Sequence, residues 1–412
     1  MRQRAPKGFR LHIGIFGRRN VGKSSLLNAV TRQQVAIVSD RAGTTTDPVE
    51  KPMELLPLGP VLFIDTAGVD DSGDLGLLRV DRTRRIFDRT DLALVVTEAG
   101  GWGKYEETLL DELTGRRIPV IVVFNQCDRA APQPEERERL TGRAVAVVKT
   151  AAVTGYGIGE LRAALIAAAP PEFVENPAIV ADLVAPGEMA VLVVPIDKEA
   201  PKGRLILPQV QTIRDLLDHD AFCMVVKERE LKGALERLKR APQLVVTDSQ
   251  AFLKVAADTP DAIPMTSFSI LFARFRGDLT AMTEGVLAID RLRPGDRILI
   301  AESCSHHPIA DDIGRVKIPR WLTRYVGGKL EFDFVQGHDF QSDLSGYALV
   351  IHCGACTTNR REVMTRILAC REQGVPITNY GLAIAHSLGA LPRALVPFPA
   401  AWQIYVRATG EE

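Results

Sequence analysis

The sequence predicts an α/β protein in which a P-loop-type parallel sheet is followed by two further α/β domains. Three observations support this prediction. Short, nearly continuous apolar runs alternate with helical stretches over residues 11 to 170, which is typical of parallel strands covered on both faces. The same alternation occurs twice more after Pro170-Pro171. A chain of 412 residues is long enough for roughly three domains. We therefore expect domains at residues 1–172, 178–262 and 263–412.

Composition and charge narrow the class of protein. The hydrophobic fraction of 46% and the charged fraction of 25% are those of a soluble globular protein. Lysine plus arginine and aspartate plus glutamate both number 51, so nucleic acid and anionic membranes are not expected as main partners. The basic start, residues 1–10, is not followed by an apolar stretch long enough for a signal peptide or a membrane span. We expect a cytoplasmic protein, in which clustered cysteines are metal ligands rather than disulfides.

The first predicted strand, Leu11–Phe16, leads into the phosphate-binding pattern Gly17-x-x-x-x-Gly22-Lys23-Ser24, and a helical run follows over residues 25–29. In such a loop, backbone N–H groups and the helix N-terminus face the phosphates. Lys23 is expected to reach the β- and γ-phosphates, and the Ser24 hydroxyl to bind Mg²⁺. The other strands predicted in this part are Val61–Ile64, Leu92–Thr97, Val120–Phe124 and Ala144–Lys149.

The loops between these strands supply the rest of the phosphate site. Asp65 directly follows a strand and can join the Mg²⁺ shell, and the Gly68 backbone can sense the γ-phosphate. Thr45, within the loop 43–47, can complete the metal shell while the γ-phosphate is present. We therefore predict Ser24, Thr45 and Asp65 as Mg²⁺ ligands. The predicted catalytic residues are Lys23, Thr45, Asp65 and Gly68.

Base recognition is predicted after the last two strands. The Asp128 carboxylate can accept hydrogen bonds from guanine N1–H and the exocyclic amine, which adenine cannot match. Thr150-Ala151 supplies a backbone amide for the base carbonyl. These motifs predict a site for GTP and GDP. Its nucleotide-binding residues are Gly17, Asn20, Val21, Gly22, Lys23, Ser24, Ser25, Asn125, Asp128, Thr150 and Ala151.

The middle third is predicted to be a structural or association domain, because none of its residues form a catalytic motif. The segment from Pro170 to Gly187 is expected to be a linker. Helices are predicted at 209–218 and 227–239. The strands predicted between them are Val191–Ile196, Cys223–Val226 and Leu244–Thr247.

The last third carries two clusters of metal-binding side chains, Cys304-Ser-His306 and His352-Cys353-Gly-Ala-Cys356. Each follows a predicted strand, so the ligands lie where open α/β sheets form their binding crevice. These ligand types are compatible with three alternatives: zinc in a Cys₃His site, an iron–sulfur cluster with one iron that lacks a protein ligand, or no metal at all. Glu302 and Asp339 are weaker oxygen-ligand candidates. The strands predicted in this part are Arg297–Ala301, Leu330–Phe334, Tyr347–His352 and Pro376–Thr378. The cysteines outside the two clusters are expected to be packing thiols, and they are Cys127, Cys223 and Cys370.

Residues 11 to 170 resemble the TrmE/Era-like GTPases of tRNA modification and ribosome assembly, whose phosphate loop Asn-Val-Gly-Lys-Ser-Ser-Leu-Leu-Asn stands here at residues 20–28. The resemblance implies that Asn20 binds K⁺ in place of an arginine finger. Gln126 departs from the lysine that is usual there. Val69 stands where signalling GTPases place a water-orienting glutamine, so slow, K⁺-stimulated hydrolysis of GTP to GDP and phosphate is expected.

The whole arrangement, a GTPase followed by Cys-x-His and His-Cys-x-x-Cys, resembles the HydF family of [FeFe]-hydrogenase maturation GTPases. The resemblance implies a middle domain that forms a homodimer. It also implies a [4Fe-4S] cluster on Cys304, Cys353 and Cys356 with a labile fourth site, and His306 and His352 as fourth ligand or supporting residues. Such proteins are scaffolds: they receive a di-iron precursor from radical-SAM enzymes and deliver it to apo-[FeFe]-hydrogenase for H-cluster maturation.

Two other functions remain as alternatives. A zinc-stabilised GTPase of RNA modification or ribosome assembly would have a basic face on its last domain, and the balanced charge of this chain counts against it. A redox enzyme with an accessory GTPase would need a flavin or nicotinamide fingerprint, which the sequence does not contain.

Overall fold

The chain divides into two compact units, Met1–Pro177 and Ala178–Glu412. Thr45, Gly68, Val69, Cys304 and His306 lie outside the residues that the structure describes. In this computed structural model the described residues are 6–31, 49–56, 58–66, 85–174, 178–195, 205–303 and 312–410.

The first unit is built on a six-stranded sheet in the order β2-β3-β1-β4-β5-β6. All neighbouring pairs are parallel except β2 and β3, which run antiparallel from Val49 opposite Asp65 to Leu55 opposite Gly59. The sequence prediction missed β2 because that edge strand mixes exposed, half-buried and buried residues and has no continuous apolar run. The strands are β1 (Leu11–Phe16), β2 (Val49–Leu55), β3 (Gly59–Asp65), β4 (Leu92–Glu98), β5 (Val120–Asn125) and β6 (Ala146–Lys149).

Helices cover both faces of this sheet, as the apolar strands predict. One core cluster joins alternate strand residues to Leu26, Leu27 and Leu161. The other joins the opposite faces of the same strands to Leu109 and Leu113. The helices are α1 (Lys23–Thr31), α2 (Lys104–Gly115), α3 (Pro134–Thr141), α4 (Ile158–Ala167) and α5 (Pro171–Val174). The last of these falls within the predicted linker, where two consecutive prolines are compatible with the first turn of a helix.

The second unit contains two four-stranded parallel sheets, in the orders β10-β9-β7-β8 and β12-β11-β13-β14. Every strand predicted here is present within a few residues, and β10 is added because three residues are too few for a periodic pattern. The strands are β7 (Met189–Val193), β8 (Phe222–Val226), β9 (Leu244–Thr247), β10 (Met265–Ser267), β11 (Arg297–Glu302), β12 (Glu331–Gln336), β13 (Leu349–His352) and β14 (Ile377–Asn379).

The helices of the second unit surround these sheets. The helix predicted over 227–239 is shorter, Leu231–Arg237, because a turn at residues 228–230 precedes it. Within the described ranges, no helix has the length and apolar character needed to cross a membrane. The helices are α6 (Leu207–Asp218), α7 (Leu231–Arg237), α8 (Phe252–Asp258), α9 (Phe268–Arg276), α10 (Leu279–Val286), α11 (Ile318–Val326), α12 (Arg360–Glu372), α13 (Tyr380–Ser387), α14 (Leu391–Leu395) and α15 (Pro399–Thr409). Short 3₁₀ segments span Lys7–Phe9, Ala181–Leu183, Ser249–Ala251 and Leu287–Arg291, and a π-helical turn spans Ile313–Lys317.

Strand order defines where each unit can bind a ligand. In the first unit β1 connects towards β3 and β4 connects towards β5, so the crevice opens between the carboxyl ends of β1 and β4. In the last sheet β11 connects to β12 on one side and β13 to β14 on the other, so the crevice opens between β11 and β13. The phosphate loop follows β1, and the two cysteine clusters follow β11 and β13.

Candidate functional site

The phosphate loop is shaped by two glycines that no other residue can replace. Gly17 has φ 143°, and a Cβ atom there would lie 2.1 Å from the Val96 carbonyl oxygen. Gly22 has φ 86°, and its Cβ would lie 2.4 Å from Nδ2 of Asn125. Both positions need positive φ and a close backbone approach, which only glycine tolerates. The loop therefore passes tightly between β4 and the end of β5.

Lys23 is fixed at the centre of the phosphate loop. Its side chain is buried, and Nζ donates hydrogen bonds to the Gly17 and Arg18 carbonyl oxygens, both at 2.7 Å. The loop is thus wrapped around a cation, the arrangement that places positive charge beside the phosphates of a nucleotide.

Ser24 and Asp65 meet as a Mg²⁺ site requires. The Ser24 hydroxyl donates to Oδ2 of Asp65 at 3.0 Å. Burial raises the pKa of Asp65, against the opposing effects of the Lys23 charge, the Ser24 hydrogen bond and the Lys51 charge. The other carboxylate oxygen, Oδ1, is buried without a hydrogen-bond partner among the described residues. A buried carboxylate oxygen beside a hydroxyl fits a Mg²⁺ ion, which would supply the missing partner.

Asn125 connects three loops of the nucleotide site. Its Nδ2 donates to the Val21 carbonyl oxygen at 2.9 Å. Its Oδ1 accepts from the Thr150 hydroxyl at 3.1 Å and from the Ala152 backbone N–H at 3.2 Å. The side chain is fully buried and so holds the base-recognition loop against the phosphate loop, while the nearby Asp128 is exposed.

Gln126 makes a contact that the sequence did not predict. It stands at φ 59°, and its Nε2 donates to the Asn20 carbonyl oxygen at 2.9 Å. Arg129 Nη1 in turn donates to Gln126 Oε1 at 3.1 Å. The glutamine in place of lysine therefore adds a second bond between the base loop and the phosphate loop.

Arg18 anchors the phosphate loop to α2. Its Nη2 donates to Oε2 of Glu106 at 3.0 Å, and the same oxygen accepts from the Gly103 backbone N–H at 3.0 Å. Glu106 is fully buried, so this carboxylate both starts the helix and holds the loop. Sequence reasoning gave no signal for this pair, because Arg18 occupies a variable position of the loop pattern.

The candidate metal centre lies at the carboxyl ends of β11 and β13. The Cys353 backbone N–H donates to the Ala301 carbonyl oxygen at 2.9 Å, and its Sγ accepts from the Ser303 backbone N–H at 3.1 Å. The Thr357 hydroxyl donates to the Ser303 carbonyl oxygen at 3.3 Å. Ser303 is the residue before Cys304 in the sequence. The residue before the first candidate segment therefore contacts the second candidate segment.

The two described cysteines of this centre differ in acidity. Burial raises the pKa of Cys353, but the hydrogen bond and positive charge of a protonated His352, with hydrogen bonds from Ser303 and the Ala355 backbone, outweigh burial and bring that pKa to about 6. Burial and the neighbouring Cys353 sulfur raise the pKa of Cys356 to about 11, against a lowering effect of the Arg276 charge. The Ser303 N–H favours the thiolate of Cys353 whatever the state of His352, and the thiolate is the form that binds metal.

The other predicted ligands of this region are engaged elsewhere or exposed. His352 is buried and uses both ring nitrogens: Nδ1 lies 2.8 Å from the Cys353 carbonyl oxygen and Nε2 lies 3.0 Å from Arg366 Nη1. Glu302 accepts from Arg315 at 3.2 Å and from Gln336 at 3.1 Å. Asp339 is exposed. Over the described part of the chain, no group of three His, Cys, Asp or Glu side chains could hold a metal, and Cys304 lies outside that part.

The unclustered cysteines behave as packing thiols. Burial raises the pKa of Cys127 and of Cys223, and raises that of Cys370 to about 12. Cys370 is fully buried in α12, and the Cys127 thiol donates to the Phe124 carbonyl oxygen at 3.2 Å. Protonated thiols in these surroundings are poor metal ligands.

The two units of this chain match different known protein families. A 50S ribosome-binding GTPase family model matches residues 12–126. The tRNA modification GTPase MnmE of Synechococcus elongatus is 40% identical over 170 residues, which is 38% of this chain and 34% of that protein. MnmE of Heliobacterium modesticaldum is 38% identical over 151 residues, 36% of this chain and 32% of that protein. The chain thus spans about a third of the length of these curated relatives. The crystal structure of a variant of Aquifex aeolicus Era bound to GDP·AlF₄⁻ covers 52% of this chain and 92% of its own, with 20% identity and a TM-score of 0.35.

The second unit matches a different family. A hydrogen maturase F dimerization domain model matches residues 179–277, and a hydrogen maturase F tetramerization domain model matches residues 280–397. These two models together span more than half of the chain, and they follow the GTPase match. The chain therefore belongs to the hydrogen maturase F family, with a P-loop GTPase domain preceding its two maturase domains.

Proposed function

We propose that this chain is a GTP-hydrolysing scaffold that receives a di-iron precursor and delivers it to apo-[FeFe]-hydrogenase. Its membership of the hydrogen maturase F family supports a role in hydrogenase maturation. The observation that carries the proposal is the hydrogen bond of 3.1 Å from the Ser303 backbone to Cys353 Sγ. Ser303 directly precedes Cys304 in the sequence, so this bond supports a site shared by the two cysteine clusters.

In this proposal a [4Fe-4S] cluster is held by Cys304, Cys353 and Cys356. The Ser303 N–H that donates to Cys353 Sγ supports it, because this hydrogen bond stabilises the thiolate and iron binds thiolate rather than thiol. With three protein thiolates, such a cluster supplies one iron that is open to a ligand from the cargo. His306 and His352 are proposed as the fourth ligand or as residues that support the cluster from outside its ligand shell.

The nucleotide site is proposed to act as a switch. Lys23 neutralises phosphate charge, Ser24 and Asp65 bind Mg²⁺, and Thr45 joins them only while the γ-phosphate is present. Gly68 senses the same phosphate. Hydrolysis releases these contacts and changes the surfaces offered to partners. We propose that hydrolysis is slow and that K⁺ bound at Asn20 stimulates it.

The proposed partners are a second copy of this chain and the proteins that supply or accept the di-iron precursor. The descriptions of the two maturase models indicate an oligomeric protein. We propose a homodimer that pairs through β8, an edge strand on which Phe222 is 59% and Val225 43% exposed. The remaining partners proposed are the radical-SAM maturation enzymes that supply the precursor and the apo-hydrogenase that accepts it.

Transfer of the precursor tests the proposal. The protein would be loaded by the radical-SAM enzymes, repurified, and mixed with apo-[FeFe]-hydrogenase under anaerobic conditions. Hydrogen evolution should appear with the wild-type protein, fall to background with Cys353→Ala, and persist with Cys370→Ala, the matched control at a cysteine outside the candidate centre. Activation by wild type and Cys353→Ala to the same extent would rule out a carrier role for this centre.

A further inference from the structure

Next to the candidate metal centre, His352 is part of a network of buried polar side chains. His352 ends β13 and is fully buried beside Cys353. Its Nε2 lies 3.0 Å from Nη1 of Arg366, a residue of α12 that is only 3% exposed. A buried arginine facing the histidine next to a predicted ligand has no part in the proposed mechanism so far.

The chemistry of this contact fixes the state of the histidine. A guanidinium group only donates hydrogen bonds and remains protonated in proteins. Nε2 of His352 must therefore be the acceptor, with its lone pair directed at Arg366. The ring proton then lies on Nδ1, which donates to the Cys353 carbonyl oxygen at 2.8 Å. Both nitrogens are satisfied in this neutral tautomer, whereas a proton on Nε2 would face the N–H of the guanidinium.

Arg366 is itself held in place from three sides. Its Nη2 donates to Glu362 Oε1 at 2.7 Å and to the Gly337 carbonyl oxygen at 2.6 Å. The guanidinium also lies over the Phe340 ring, 5.2 Å from the centroid. Glu362 is buried, balances the arginine charge, and accepts from His338 Nδ1 at 3.0 Å. The guanidinium is therefore neutralised and anchored, and it presents a fixed N–H to His352.

A histidine binds a metal ion through a nitrogen lone pair. The Nε2 lone pair of His352 is already used by Arg366, and Nδ1 carries the proton. We propose that Arg366 is a positioning residue that withholds His352 from iron, so that one iron of the cluster stays open to the cargo. This inference rests on the cluster of the proposed function and deepens it.

The test compares the reduced clusters of wild type and four variants by pulsed EPR, which detects a nitrogen bound to iron. The variants are His352→Ala, Arg366→Met, the double variant His352→Ala/Arg366→Met, and the control Arg371→Met, an exposed arginine of the same helix. Wild type and Arg371→Met should show no coupling from His352. Arg366→Met should show it, and the double variant should lose it again.

Exogenous imidazole provides a second readout on the same samples. It should shift the EPR signal of the wild type and of His352→Ala at similar concentrations. In Arg366→Met the apparent imidazole affinity should fall at least about tenfold, because a tethered side chain competes at high effective concentration. Since Arg366→Met removes the positive charge that balances the buried Glu362 carboxylate, the variant Glu362→Gln/Arg366→Met serves if the single change unfolds the protein.

The outcomes separate this inference from the function on which it rests. A nitrogen coupling in the wild type that His352→Ala removes would overturn the role of Arg366 and leave the cluster assignment intact. EPR spectra and an imidazole affinity of Arg366→Met equal to those of the wild type would also overturn the role of Arg366 and leave the cluster assignment intact. If the wild type binds no iron, the proposed function fails. The histidine state is then read by ¹⁵N NMR of the iron-free protein, where a protonated Nε2 on His352 would contradict the inference by itself.

Discussion

At the scale of single residues, Asp128 and Asn125 have different roles in the base-recognition loop. Asn125 is buried and uses its amide for the Val21, Thr150 and Ala152 contacts. Asp128 is exposed and therefore accessible to a nucleotide base. Specificity for guanine should then depend on Asp128, whereas Asn125 should affect the order of the whole site.

We predict that Asp128→Asn weakens GTP binding about a hundredfold or more, since two charge-assisted hydrogen bonds are lost. The asparagine amide can donate to the C2 carbonyl of xanthine, so affinity for xanthosine triphosphate should rise. Titration with both nucleotides measures the change, with Glu135→Gln, an exposed acidic residue of α3, as the control. GTP affinity equal to wild type would contradict base recognition by Asp128.

A buried histidine predicts acid sensitivity of the GTPase unit. His12 in β1 lies 3.1 Å from each of the Arg89 and Lys7 carbonyl oxygens. Burial, with the Arg89 and Lys7 charges, lowers the pKa of His12 from 6.5 to about 4 despite these hydrogen bonds. The unfolded chain therefore binds the proton more readily, and stability is lost as the pH falls from 6.5 towards 4.

This single group should cost about 3 kcal/mol of unfolding free energy across that range. Denaturant unfolding at pH 7 and pH 4.5 measures the loss. His12→Gln should reduce the difference between the two pH values, and the exposed His219→Gln should not. An identical pH dependence in wild type and His12→Gln would show that another group is responsible.

At the scale of elements, the sequence predicts strands well where both faces are buried. β1, β4 and β5 begin at their predicted residues because continuous apolar runs are needed on a doubly covered sheet. β2 and β10 were missed, one because it is an edge strand and the other because it has three residues. The described motif residues fall at the strand ends, as their positions in the sequence predict.

The contacts that support those motifs could not be predicted. Arg18 and Glu106 are 88 residues apart in the chain. Arg366 contacts His352 on the preceding strand, whereas charged residues on predicted helices usually face solvent. A sequence pattern shows which residues share an element, but it does not show which element lies opposite. Gln126 illustrates the same limit, since its hydrogen bond to Asn20 follows only from how two loops approach.

The phosphate loop is also the element in which we predict a monovalent-ion effect. Charge that develops on the phosphates during hydrolysis needs a cation, and Asn20 is the proposed K⁺ ligand. GTP hydrolysis should be at least about tenfold faster in K⁺ than in Na⁺ in the wild type. Asn20→Ala should abolish the difference. Gln126→Ala is the control, because it removes the hydrogen bond to the Asn20 backbone but keeps the Asn20 side chain. Equal wild-type rates in both salts would remove the proposal.

At the scale of the whole molecule, the nucleotide site and the candidate metal centre belong to different compact units. The sequence predicts this order of parts from its motifs. Separate domains at 178–262 and 263–412 stay a prediction. The two maturase models match residues 179–277 and 280–397, and both matched parts lie in one compact unit. Contacts such as Arg360 Nη1 to the Gly277 carbonyl oxygen at 2.6 Å link those two parts, and no sequence pattern reveals them.

Separate units predict that the two activities can be uncoupled. Lys23→Ala should abolish GTP hydrolysis but leave iron content and the cluster's EPR signal unchanged, while hydrogenase maturation falls. Circular dichroism must show a folded variant, because Lys23 also holds the Gly17 and Arg18 carbonyl groups. Lys104→Ala, at an exposed lysine of α2, is the control. A folded Lys23→Ala protein without its cluster would mean that the two sites are chemically linked.

The central claim is that Cys353 and Cys356, with Cys304, hold an iron–sulfur cluster in a GTPase. Anaerobic purification followed by iron, sulfide and zinc analysis, with EPR after reduction, tests it most directly. The account predicts about four iron and four sulfide per chain, an EPR signal of a reduced cubane cluster, and loss of all three in Cys353→Ala. One zinc per chain without sulfide, or full iron and sulfide in Cys353→Ala, would contradict it.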